Sequence, residues 1–365
     1  EMKGYQQSPS LKGDTDWREV AFEVILDPAM DSLRFGCYLH GTGKAWFDDI
    51  TFRPYVPEHA TANPAATAYL QEFFDTVRQH ALGREEIDWG ALERDARSLI
   101  PGAQSPADVH PAIVYTIRRI NKHSFFLPPA ASAQMAGEDL PDDRPDPNLR
   151  YGTGRRLDER VAYLSMPAMG SGHQPTLEAF ADSLQGLIAA LDTENTTGWV
   201  LDLRENGGGN CWPMLAGIGP LLGEGVCGHF QDPDGGNAHA WAYREGKSSL
   251  RGDDIVGTRN YVLKNPTARV AVLTGPQTAS SGEVTATAFI AHPRARSFGQ
   301  PTAGYATTND DFALSDGGTV YLTVSIYADR NRRPVGEQIV PDEVVEPVAG
   351  EDAALARALA WLSGE

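Results

Sequence analysis

The run Trp199-Val200-Leu201-Asp202-Leu203-Arg204-Glu205-Asn206-Gly207-Gly208-Gly209 and its later counterpart, Val270-Ala271-Val272-Leu273 followed by Thr278-Ala279-Ser280-Ser281-Gly282-Glu283, decide how this chain reads. In each, an apolar, strand-like stretch stops abruptly at small residues that turn the backbone tightly. Two strand ends therefore present polar loops side by side. One loop carries a hydroxyl at the start of a helix; the other carries a glycine cluster whose N–H groups can face a developing oxyanion, the layout of a serine hydrolase site.

From Glu159 onward, strands and helices alternate: a strand over 161–166, a helix over 175–192, strands over 198–203 and 269–274, helices over 212–222 and 280–291, strands near 296–299 and 318–327, and an Ala/Leu-rich helix over 351–363. This spacing predicts an α/β layer with mostly parallel pairing over 159–365. Ahead of it, Ala68, Leu70, Phe73, Phe74, Val77 and Ala81 recur at helical spacing, as do Leu92, Ala96, Leu99 and then Ile113, Ile117, Ile120, so a small helical subdomain is expected over 64–127. Residues 128–158 lack periodicity and read as an exposed loop, and 56–63 as a Pro-containing linker. Short strands over 20–26, 33–39 and 45–52, punctuated by glycine and aspartate, make 1–55 part of an antiparallel sandwich, too short to be a complete one.

A chain of 365 residues with 41 % hydrophobic and 22 % charged residues has the composition of a soluble globular protein of two or three domains. Its formal charge of −18, from 49 acids against 31 bases, disfavours nucleic acid and anionic lipid as partners. Cys37, Cys211 and Cys227 form no disulfide framework or zinc pattern. No apolar run approaches the roughly 20 residues of a membrane span, and the polar start is not a signal peptide.

Ser280-x-x-Glu283 is also a capping box, in which the serine caps a helix and the glutamate reaches back. Unpaired N–H groups and the positive end of the helix dipole beside the hydroxyl favour a nucleophile, with Ser281 its nearest competitor. Gly207-Gly208-Gly209 reads either as a flexible loop or, beyond the carboxyl end of a buried strand, as a ligand-binding turn; no Gly-Lys-Ser/Thr or G-x-G-x-x-G makes it a phosphate loop. Among nine histidines, His123 stands out at a helix-to-strand corner ahead of Phe125-Phe126, where by itself it reads as a packed structural histidine or as a base. In the stretch 223–264, Asp232-Pro233-Asp234-Gly235-Gly236-Asn237 lacks the spacing of a calcium loop and reads as a surface turn, and His229 and His239 lack partners at ligand spacing. No metal or cofactor is expected.

Taken together, 198–209, Thr278-Ala279-Ser280-Ser281-Gly282-Glu283, Phe298-Gly299-Gln300-Pro301-Thr302-Ala303-Gly304 and Ile339-Val340-Pro341-Asp342 resemble the tail-specific (C-terminal processing) serine peptidases and the related tricorn core, over roughly residues 64–348. The resemblance implies a crotonase-like (ClpP/crotonase-type) α/β core with a small helical cap. It implies Ser280 as nucleophile, the N–H groups of Ser281 and Gly208 as oxyanion hole, and Glu283 as a capping acid. The lysine base of many members falls at Tyr305 here, and a tyrosine with a pKa of about 10 is a poor base near neutrality. The tricorn-like branch takes a histidine from the helical region, which implies His123 as base, oriented by Glu337, with Asn309 and Ser124 as alternatives. The PDZ domain typical of the family is replaced by the loop 128–158.

The implied activity is a serine peptidase acting through an acyl-enzyme on a peptide or protein substrate. A noncatalytic peptide- or glycan-binding protein on the same scaffold is the alternative, and an esterase or amidase a third. The segment around Gly41-Thr42-Gly43-Lys44-Ala45-Trp46-Phe47 resembles the closing strand of carbohydrate-binding jelly rolls. With the peptidase resemblance, this suggests a secreted or periplasmic protein whose signal is absent from this chain, with the cytoplasm as the alternative.

Overall fold

The computed structural model describes residues 16–21, 36–37, 44–53 and 61–364. Three helices come first, α1 (Pro64–His80), α2 (Trp89–Ser98) and α3 (His110–Ile120), followed by β1 (Phe125–Leu127) and α4 (Pro129–Ala136). Asn63 starts α1 by accepting the Ala66 N–H at 2.8 Å, with proline next in line, where its missing N–H costs nothing. Next come β2 (Thr153–Arg156), β3 (Val161–Ser165), α5 (Gln174–Leu191), β4 (Gly198–Asp202), α6 (Cys211–Gly217) and α7 (Gly219–Leu222). Four strands follow, β5 (Gly225–Gln231), β6 (His239–Arg244), β7 (Lys247–Leu250) and β8 (Asp253–Gly257). The chain closes with β9 (Arg269–Thr274), α8 (Ser281–Thr287), β10 (Ala295–Gly299), β11 (Thr307–Ala313), β12 (Thr319–Ala328), β13 (Glu343–Val344) and α9 (Ala353–Ser363).

These strands form two sheets. The six-stranded sheet runs β13-β10-β9-β4-β3-β2, parallel except for the edge strand β2. Both its faces are covered, as a parallel sheet requires. Trp199 and Leu201 of β4 face the main core under α5, α6 and α8, whereas Val200 faces α9 together with Ala271, Leu273 and Phe298. The second sheet is antiparallel, in the order β1-β12-β5-β6-β7-β8, with β11 on the other side of β12. One face of its β1-β12-β11 end is packed by the helices: Phe126, Val320 and Leu322 join Leu70, Phe73, Phe74, Ile113 and Ile117 in a separate cluster.

Several expectations are corrected here. Residues 128–158 are not simply a loop, because α4 and β2 lie within them; α4 is one short stretch of small residues with no buried apolar face, hence no periodicity to read. Among the described residues, 45–52 carry no strand, and Trp46, Phe47, Ile50 and Phe52 are exposed; the other two N-terminal strands lie largely outside the described residues. The helix expected over 212–222 is broken between α6 and α7, where Gly219 lies against the Tyr243 ring so closely that a Cβ would stand 1.9 Å from it. Among the described residues, no helix is long and apolar enough to cross a membrane.

Candidate active site

The loops after β4 and β9 meet edge to edge at the carboxyl ends of their strands. Thr278 Oγ1 donates to the Leu203 carbonyl at 2.8 Å, the Ala279 N–H to the Asn206 carbonyl at 3.0 Å, and Ser281 Oγ to the Gly209 carbonyl at 2.5 Å. Such close approach needs glycine. At Gly208, with φ +101°, a Cβ would stand 2.8 Å from that of Ser280, and at Gly209, with φ +112°, only 2.1 Å from the Met169 carbonyl oxygen. The buried Asn206 shapes the turn from within, accepting the Gly208 N–H at 3.0 Å and donating to the Pro167 carbonyl at 3.2 Å.

Ser280 stands at the start of α8 with φ +51° and ψ −117°, a conformation that costs a non-glycine residue on the order of 1–3 kcal/mol. Glu283 holds it there. Its buried carboxylate accepts the N–H groups of Ser280 (2.8 Å), Tyr305 (2.9 Å) and Gly304 (3.1 Å) and the Thr302 hydroxyl (2.5 Å), joining the serine turn to the loop after β10. Burial raises the Glu283 carboxyl above its usual range, and these four donors pull the other way.

His123 arrives from the helical side, at the corner between α3 and β1. Its N–H donates to Asn121 Oδ1 at 2.8 Å, and its carbonyl accepts from Asn309 Nδ2 at 2.9 Å. Thr323 Oγ1 lies 2.8 Å from Asn309 Oδ1 and 3.1 Å from Asn121 Oδ1, tying both braces to β12. The imidazole Nε2 is thereby set 3.0 Å from Ser280 Oγ, and Nδ1 lies 2.8 Å from Thr307 Oγ1. Burial, reinforced by the charge of Lys122, lowers the ring from its usual 6.5 to about 4. At neutral pH it is therefore an uncharged base. With Nδ1–H donated to Thr307, the free lone pair on Nε2 points at the seryl hydroxyl.

The structure thus brings Ser280 and His123 together and leaves Glu337 apart. That carboxylate is exposed and faces Lys122 Nζ at 3.4 Å, while the Thr307 hydroxyl takes the Nδ1 position expected for it. Nearness in sequence to the Ile339-Val340-Pro341-Asp342 motif does not fix where the Glu337 side chain points. Asn309 reaches only the His123 backbone, and Ser124 donates to Thr323 away from the ring. Of the two expected oxyanion donors, the Ser281 N–H has no acceptor among the described residues, whereas the Gly208 N–H is directed to Asn206. Tyr305, in the place of the family lysine, lies with its ring 5.2 Å from that of His123.

Two further groups were invisible to sequence reasoning: Thr307, inside the polar run Thr307-Thr308-Asn309-Asp310-Asp311, and Tyr327, a buried residue whose hydroxyl lies near that of Ser280 and whose pKa burial holds well above the usual tyrosine value. Cys211 is buried with its thiol pushed up to about 12, so it offers no thiolate nucleophile. Among the described residues, no three His, Cys, Asp or Glu side chains are grouped to hold a metal ion. In the 232–237 turn, Asp232 and Asp234 are engaged by Asn237 Nδ2 and the Gly236 N–H.

A seryl hydroxyl on a strained strand-to-helix turn, within hydrogen-bond reach of an uncharged imidazole, is an arrangement of the kind serine hydrolases use. Residues 160–345 match the model of peptidase family S41, and the chain belongs to that family, the tail-specific or C-terminal processing serine proteases. It is 29 % identical over 185 residues to the nisin-resistance protein of Lactococcus lactis subsp. lactis. That alignment covers 51 % of this chain and 56 % of the relative, so the chain spans little more than half the length of the curated relative it matches. Among solved structures, a lipoprotein from Streptococcus agalactiae superposes with a TM-score of 0.66 at 24 % identity, covering 86 % of this chain and 99 % of that one. The photosystem II D1 C-terminal processing protease superposes with a TM-score of 0.52 at 16 % identity, over 80 % and 99 % of the two chains. At these identities both likenesses speak for the fold alone.

Proposed function

We propose that this chain is a serine peptidase that cleaves peptide bonds through an acyl-enzyme on Ser280, with His123 as general base. The observation that carries this reading is the 3.0 Å approach of His123 Nε2 to Ser280 Oγ, with the ring held uncharged. His123 takes the hydroxyl proton as Ser280 Oγ attacks the scissile carbonyl. The tetrahedral oxyanion is met by the Ser281 N–H, and the imidazolium then gives its proton to the leaving amine. A water molecule, deprotonated by the same ring, releases the acyl group. Thr307 acts as the positioning residue, accepting Nδ1–H and so fixing the tautomer.

In this reading residues 159–365 form a crotonase-like core, and 64–127 act as a cap that delivers the base. Likeness to a lipoprotein and to a resistance protein supports a site of action at the cell envelope or beyond it. Treatment with a small fluorophosphonate, followed by mass spectrometry of the wild type and of Ser280→Ala, tests the assignment. A single adduct on Ser280 that is lost in the variant is expected; an adduct elsewhere, or none with several probes, overturns it.

A further inference from the structure

On the face of the antiparallel sheet turned away from the helical cluster, three side chains form a row across three strands. Phe125 of β1 is opposite Tyr321 of β12, and Tyr321 is opposite Asp311 of β11. Side chains alternate along a strand, so Phe126, Val320, Leu322 and Phe312 point toward the helices and these three point away. The two rings are stacked, with centroids 4.7 Å apart and planes within 10°. Phe125 keeps 39 % of its surface exposed, unusual for a ring next to a core. Asp311 is exposed and has no ion-pair partner among the described residues, and its charge adds to burial in raising the Tyr321 phenol.

The row lies on the strands that also hold His123. One step along the same face, Thr323 and Asn309 are also opposite each other, and Asn309 holds the His123 carbonyl. Two residues of strand rise about 7 Å. Thr307, whose hydroxyl meets the His123 ring, and Asp311 are four residues apart on β11, about 13 Å of strand, so an extended peptide whose scissile bond lies at Ser280 reaches the level of Phe125, Tyr321 and Asp311 about four residues from that bond. An aromatic face beside an unpaired carboxylate is the environment that a guanidinium or ammonium group seeks, through cation–π attraction on one side and charge pairing on the other.

We infer that Phe125, Tyr321 and Asp311 form a specificity subsite for a basic side chain of the substrate, so that the enzyme cuts extended peptides carrying lysine or arginine close to the scissile bond. This rests on the Ser280–His123 reading. The test digests a peptide mixture generated by a glutamate-specific protease, which leaves lysine and arginine internal, and identifies the new termini by mass spectrometry. Wild-type protein is expected to enrich lysine and arginine about fivefold at one position within about five residues of the cut. Asp311→Asn and Phe125→Ala should each lose most of that enrichment while the rate of fluorophosphonate labelling at Ser280 stays within about twofold, which also shows that both variants are folded. Enrichment of apolar residues instead, enrichment retained in both variants, or no cleavage by a chain whose Ser280 does label would overturn the subsite. Failure of the wild type to label at Ser280 would instead remove the catalytic reading beneath it.

Discussion

Ser280 and His123 are each held by neighbours that do no chemistry themselves, and this sets the size of mutational effects. Ser280→Ala should lower kcat by at least about 10⁴ while lowering the melting temperature only slightly, since the Glu283 carboxylate still holds the residue-280 N–H and only the hydroxyl's half of the capping box is lost. Thr307→Val removes the acceptor for Nδ1–H and should cost roughly tenfold in kcat with little change in KM; Thr307→Ser should restore it, and Glu337→Gln should stay within about twofold. With the His123 pKa near 4, kcat/KM should hold steady from neutrality down to about pH 5 and fall only below that, where the ring protonates; a limb near 6.5 would refute the buried, uncharged imidazole. The same shift has a stability consequence. The unfolded ring binds a proton below about 6.5 and the folded ring does not until about 4, so the melting temperature should decline as pH falls through that window, with the buried His292, also held at about 4, adding to the trend. The turn at Ser280 was legible in the sequence because a tight strand-to-helix turn needs small residues in a fixed local order. Thr307 was not, because one threonine in a polar run carries no mark of the ring it meets 184 positions away.

At the scale of elements, the parallel strands were the easiest to read, since burial on both faces leaves near-continuous apolar runs such as Trp199–Leu203. The region 223–264 escaped assignment because β5 to β8 alternate irregularly, with a register shift between Val226 and Gly228 and another between Ser248 and Ser249. Nor was the docking of α9 predictable, as it depends on pairing across the chain: Arg204 at the end of β4 binds Asp202 and, through Nη1 and Nη2, both carboxylate oxygens of Asp352, the residue that caps α9 by accepting the Leu355 N–H. Arg204→Ala leaves the buried Asp202 without its cation and should lower stability by roughly 2–3 kcal/mol, read as a shift of the denaturation midpoint at constant slope. Gly208→Ala should lower both activity and stability, because at φ +101° the added methyl group meets the Ala279 carbonyl oxygen as well as the Ser280 Cβ.

Across the whole molecule, the net charge of −18 gives the specificity subsite a long-range counterpart. Hydrolysis of a cationic peptide should slow as ionic strength rises, through kcat/KM rather than kcat, while a matched neutral peptide should be insensitive. The helices of the first part and the parallel strands of the later part were readable from periodicity, but the mostly parallel pairing expected over 159–365 is not what formed: β5 to β8, β11 and β12 pair antiparallel, because strand periodicity carries no direction. How the two pieces meet was not readable either, since the antiparallel sheet draws β1 from the helical half and β11 and β12 from the other. That partition has a mechanical result. Ser280 is mounted on the parallel sheet and His123 next to a strand in the other, and among the described residues the two sheets share no strand. Under the proposed function the Ser280–His123 pair is therefore a gauge read across a joint: a slip of one sheet past the other by about an ångström would silence it while every helix and strand stayed intact, so activity should fade on gentle heating before any loss of secondary structure.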